Sequence, residues 1–179
     1  MLPFSSIGER LDDIARFTAV YFLITIFFIA EIIALPSPFD GFKHVPFLMI
    51  TVYFWAVYRP NVLPPLLVFI LGLMADVITG MPIGVGAIIL VLLNWAISSQ
   101  RAFITAQSFA MTWLVFGIVY VGIVVMQWLI FGLIQFQWSP INHITPQFIA
   151  GIIAFPFVAG AYHLAHKMLP AANFTLTSR

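Results

Sequence analysis

Charged side chains are nearly missing from this chain: seven Lys and Arg and six Asp and Glu among 179 residues, or 7%, where a soluble domain carries about 25%. With 63% of the residues apolar, too little polar surface remains to cover a water-exposed fold, which excludes a soluble globular enzyme. A formal net charge of +1 offers neither a basic surface for nucleic acid nor an acidic, disordered tail. Cysteine is absent altogether, which removes disulfides, thiolate nucleophiles and zinc ribbons. No G-x-S-x-G, H-E-x-x-H, P-loop or dinucleotide fingerprint occurs, so neither enzymatic activity nor a cofactor is expected.

What the chain has instead is long apolar runs. A helix needs about 20 mostly apolar residues to cross about 30 Å of hydrocarbon, and six segments qualify: 17–35, 45–58, 62–79, 83–98, one within 103–134, and 147–168. The second is short, and the charge distribution decides in its favour. With six spans and an inner N-terminus, Arg10, Arg16, Arg59, Arg101, Lys167 and Arg179 share the cytoplasmic side and only Lys43 lies outside. Omitting the second span leaves only Arg10 and Arg16 inside, against the positive-inside rule. The expected fold is an all-α membrane protein, a compact bundle of six transmembrane helices with N- and C-termini cytoplasmic. Residues 1–16 form a short leading helix, with capping-box spacing at Ser6 and Glu9 and an i,i+4 pair of Asp12 and Arg16. Residues 17–170 form the membrane domain and 171–179 a cytoplasmic tail. The acids in the leading flank and the lack of a small-residue cleavage site argue against a signal peptide. Short connections at 59–61, 80–82 and 99–102 make successive helices antiparallel neighbours.

Two acids fall inside the spans, Glu31 and Asp76, both near outer helix ends. An intramembrane acid is either a functional site with a cationic partner, here Lys43 or His44, or a boundary group hydrogen-bonded to helix ends or water. In GLMADVITGMPIG, Gly72, Asp76, Gly80 and Gly84 recur every four residues. Small residues at that spacing let helices approach closely, which makes Gly72 a packing glycine. Gly80 and Gly84 flank Met81-Pro82 and serve the chain reversal. Pro64 and Pro65 open the third helix, and Pro156 interrupts the sixth, freeing carbonyls that a neighbour must satisfy. His163 and His166, beside Lys167, complement a helix C-terminus better than they make a metal site. Asn94, Gln107 and Gln127 read as hydrogen-bonding groups within spans, and Trp138 as an interfacial anchor.

The chain resembles the rod shape-determining protein MreD family of bacteria. The likeness rests on the segment from Pro46 through Tyr53-Phe54-Trp55 and Arg59-Pro60-Asn61 to the G-x-x-x-D-x-x-x-G-x-x-x-G run with Pro82, and on Pro156 followed by Lys167. The resemblance implies a non-enzymatic scaffold of the cell inner membrane acting in lateral-wall peptidoglycan synthesis. It implies association with MreC, in an elongasome complex with MreB, RodA and a class B penicillin-binding transpeptidase. Gly72, Asp76, Gly80, Pro82 and Gly84 are then the helix-packing or partner-docking residues. The competing expectation is the small-molecule-binding membrane component of a vitamin transporter. Ala30 and Ala34 would give it a docking face, and Glu31, Asp76, Lys43 and His44 an outer polar pocket.

Overall fold

A computed structural model describes residues 7–33, 45–79, 82–135 and 144–168. They form six α-helices and, among the described residues, no strand: α1 (Ile7–Ile32), α2 (Phe47–Tyr58), α3 (Pro65–Thr79), α4 (Val85–Thr105), α5 (Phe109–Gln135) and α6 (Ile144–Met168). Three stretches are long and apolar enough to cross a membrane, Val85–Thr105, Phe109–Ile130 and Phe148–Ala165. The apolar stretches Phe17–Ile32, Phe47–Tyr58 and Pro65–Ile78 of the other three helices are shorter.

 

Packing rather than length explains α2. Its 12 residues rise only about 18 Å, yet every residue from Leu48 to Val57 is buried. It is apolar all round, as a helix enclosed by other helices must be, and α1, α4 and α6 pack around it. Amides at its two ends are met within the protein, Leu48 N–H by Glu31 Oε2 and Arg59 N–H by the Trp55 carbonyl, as backbone in a lipid setting requires. Aromatic side chains fill the space around it. Tyr53 meets the rings of Phe116 and Phe155 edge-on, and those two stack at 4.4 Å. Buried hydroxyls are paired: Thr51 Oγ1 lies 2.7 Å from Tyr162 Oη, and Tyr53 Oη donates to the Thr112 carbonyl at 2.9 Å.

Hydrogen bonds at both ends make α1–α2 and α3–α4 antiparallel hairpins. At one end Tyr21 Oη donates to the Val62 carbonyl at 3.0 Å and Asn94 Nδ2 to the Leu63 carbonyl at 3.4 Å. At the other, Glu31 meets the start of α2 and Asp76 the start of α4. The outside of the molecule is apolar, with Phe22, Leu66, Ile83, Trp95 and Phe157 all more than half exposed. Such a surface suits lipid and not water.

Three local features differ from the sequence expectations or refine them. The connection expected at 99–102 is helical, and the chain reverses at 106–108 instead. The polar residues there are absorbed by the helix: Ser99 Oγ bonds the Trp95 carbonyl and Thr105 Oγ1 the Arg101 carbonyl, each at 2.8 Å. Ser108 then starts α5, its carbonyl and hydroxyl accepting from the Thr112 and Met111 amides. Gln107 accordingly lies exposed in the turn and not within a span. The leading segment and the first apolar run form a single helix, α1, without a break at residue 16. Helix α6 continues through Pro156, whose missing N–H leaves the Ile152 carbonyl without its usual partner. Trp113 of α5 supplies one, its Nε1–H donating to Ile152 O at 3.1 Å.

Candidate functional site

The G-x-x-x-D segment occupies the last turns of α3, and its residues meet the first turn of α4. Gly72 and Asp76 are four apart and therefore share a helix face. At Gly72 the two backbones nearly touch: a Cβ there would stand 2.5 Å from Ala87 Cα. One turn on, Asp76 is 3% exposed, and its Oδ2 accepts the amides of Gly84 at 2.9 Å and Ala87 at 3.3 Å. Gly84 occupies the N-cap position in the left-handed region, φ 96°, and has no side chain with which to cap its own helix. Asp76 does so from the preceding helix, satisfying amides that a helix start leaves open. The positive end of the α4 dipole also offsets the cost of an anion near the C-terminus of α3. Gly86 completes the fit, since a Cβ there would collide with Asp76 Oδ1. Pro82 sits half-buried in the turn, its carbonyl accepting the Val85 amide at 3.2 Å. Gly80 lies outside the described residues.

Glu31 repeats the arrangement at the first hairpin. From the last turn of α1 its Oε2 accepts the Leu48 amide at 2.6 Å, in the opening turn of α2. Lys43 and His44, expected beside it, lie outside the described residues, as does Trp138. Both acids line one cavity of about 220 Å³, shared with Tyr120 and Gln127 of α5 and walled by apolar and small residues including Gly72 and Gly86. Structure thus brings Glu31 and Asp76 together with Gln127, while Asn94 serves elsewhere, tying α4 to the Leu63 carbonyl. His163 packs its ring edge-on against Tyr58, with centroids 6.4 Å apart, and the side chain of His166 is outside the described set.

Sequence reasoning missed Tyr120, Gly86 and Gly151. A Cβ at Gly151 would run into the Tyr120 ring, so this glycine lets α6 approach α5. Gly86 falls outside the four-residue spacing, and Gly151 and Tyr120 are one contact split between two helices, so no local pattern marks them. Chemically, the cavity offers carboxylate and amide oxygens as hydrogen-bond acceptors. Among the described residues no group of three or more His, Cys, Asp and Glu side chains is placed to hold a metal ion.

Neither a curated protein nor a solved structure matches the chain. The family model for the rod shape-determining protein MreD matches residues 13–167, from the first helix to the last and across both acid-capped hairpins, and the chain belongs to that family.

Proposed function

We propose that this protein is a non-enzymatic scaffold of the bacterial elongation complex, crossing the inner membrane six times with both termini in the cytoplasm. In this reading it binds MreC and supports lateral-wall peptidoglycan synthesis beside MreB, RodA and a class B penicillin-binding transpeptidase. The family match over residues 13–167 is the observation that carries it. Supporting it are an apolar exterior and a chain without a catalytic motif.

Gly72, Asp76, Gly80, Pro82 and Gly84 contribute to docking by shaping the α3–α4 hairpin. The outward side of α3 carries Leu66, Ile70, Met74 and Val77, all exposed, and a partner's transmembrane helix packs there. Van der Waals fit drives such association in lipid, so shape changes on either face of α3 should matter. Val77→Trp alters the outward face alone, and Gly72→Leu forces the hairpin apart. Both are expected to reduce recovery of MreC from native membranes and to round the cells. Rod-shaped cells with undiminished MreC recovery from the Val77→Trp strain would reject this docking face. The cavity lends no support to a vitamin-capturing component, because about 220 Å³ falls below the roughly 300–1,000 Å³ of small-molecule pockets.

A further inference from the structure

Gly160 is a notch in the exposed side of α6. Phe157 and Leu164, three residues before it and four after, share its helix face and are 76% and 64% exposed, whereas a Cβ at Gly160 would meet no atom within 4 Å. The notch opens into a pocket of about 290 Å³ between α2, α5 and α6, lined by Phe54, Tyr58, Phe109, Ala159, Gly160 and His163. Its walls change character along the helix axes. Phe54, Ala159 and Gly160 make the inner part apolar, while Tyr58, the last residue of α2, and His163, toward the end of α6, stand about one turn nearer the end of the molecule. The Tyr58 and His163 rings meet at that rim, with centroids 6.4 Å apart, and the Phe54 ring lies 4.6 Å behind Tyr58. Arg59 directly follows Tyr58, and Lys167 follows His163 by one turn of α6.

A slot that is apolar inside, open on an apolar exterior, and polar and basic at the end of the helices has the polarity of an amphiphile with a hydrocarbon chain and a negative head. We propose that the pocket binds an anionic phospholipid, with part of one acyl chain passing Gly160 into the space beside Phe54 and Phe109 and the phosphate at the rim formed by Tyr58 and His163. Its place in the cytoplasmic leaflet rests on the six-span reading. Arg59 and Lys167 bring positive charge to that boundary, and basic pockets between helices on the cytoplasmic side attract anionic head groups. The same charge favours lipid over a partner's transmembrane helix. Such a helix carries its own Lys and Arg at the cytoplasmic boundary and would meet like charge there.

Thermal unfolding of the purified full-length protein in detergent tests the site, with phosphatidylglycerol as the probe and phosphatidylcholine of the same acyl chains as the control. Saturating phosphatidylglycerol is expected to raise the midpoint by about 3 °C or more over the control. Gly160→Trp fills the slot without changing any charge, so general attraction of anionic lipid to the basic end survives while the site does not, and the excess rise should vanish. Gly122→Trp, at another glycine with open space around it, should keep the excess. Gly160→Leu gives the same reading with less bulk should the Trp variant fail to fold. No excess over phosphatidylcholine, or an excess undiminished in the Gly160 variants, overturns the proposal. Reduced MreC recovery from native membranes of the Gly160→Trp strain, with the excess rise intact in the purified variant, would assign the pocket to a partner's helix and overturn it as well. The detergent measurement does not depend on orientation in the membrane. An inverted topology by thiol labelling, with the lipid effect intact, would reject the cytoplasmic leaflet and the six-span orientation but not the lipid site.

Discussion

Gly72 and Gly84 stand twelve residues apart in one motif and are glycine for different reasons, which substitution by alanine separates. At Gly72 the added Cβ meets the Ala87 backbone at 2.5 Å, so α3 and α4 must move apart. We expect Gly72→Ala to cost about 1–3 kcal/mol, the usual range for overpacking. Gly84 has open space around it but a φ of +96°, so Gly84→Ala costs about 1–2 kcal/mol through backbone strain alone. Thermal unfolding of the purified protein measures both. Ala87→Gly removes only a Cβ and leaves the Ala87 Cα in place, so it should rescue neither variant. Asp76 gives a further residue-scale test. Asp76→Ala strands two amides and should cost about 1–3 kcal/mol, whereas Asp76→Asn keeps an acceptor oxygen and should cost less. Equal unfolding midpoints for Asp76→Ala and the parent would refute the capping role. The four-residue spacing made Gly72 legible as a packing residue. Which amides Asp76 would meet was not legible, because they lie eight and eleven residues further on and across a turn.

Among the elements, α2 and α6 show how neighbours complete what a helix cannot do alone. The apolar run at 45–58 was readable as a helix, and Phe47–Tyr58 is where it forms. Its enclosure on every side was not readable, since that depends on the placement of α1, α4 and α6. The α4–α5 boundary was misplaced for a related reason. Ser-Ser-Gln-Arg resembles a loop by composition, but hydroxyls can return their hydrogen bonds to the helix that carries them. In α6 the carbonyl freed by Pro156 was foreseeable, while its donor, Trp113, sits 39 residues before it. That pairing predicts a specific non-additivity. Trp113→Phe should cost about 1 kcal/mol in the parent. In a Pro156→Ala background residue 156 regains an N–H for the Ile152 carbonyl, and the same change should cost little. A double-mutant cycle on unfolding midpoints reads the coupling. Costs that simply add would show that the indole bond does not compensate for the proline.

For the whole molecule, the hairpin bonds turn a list of basic residues into a statement about ends. Tyr21 with Val62, and Leu63 with Asn94, put the α2–α3 connection beside the middle of α1 and the middle of α4. Arg59 is in that connection, and Arg101 lies two turns beyond Asn94 toward the same end. Glu31, Asp76 and the starts of α2 and α4 lie at the other end. If the six-span reading is right, the basic end faces the cytoplasm, as the positive-inside rule requires. The absence of cysteine makes this directly measurable, because any introduced thiol is unique. Asn61 and Gln107 are exposed at the basic end, and Ile83, 74% exposed, is at the other. A membrane-impermeant maleimide added to intact spheroplasts should label Ile83→Cys and spare Asn61→Cys and Gln107→Cys, and lysis should expose the latter two. Labelling of Asn61→Cys but not Gln107→Cys before lysis would mean that α2 and α3 do not both cross. The inverse pattern at all three sites would reverse the orientation of the bundle, and with it place the acid-lined cavity toward the cytoplasm.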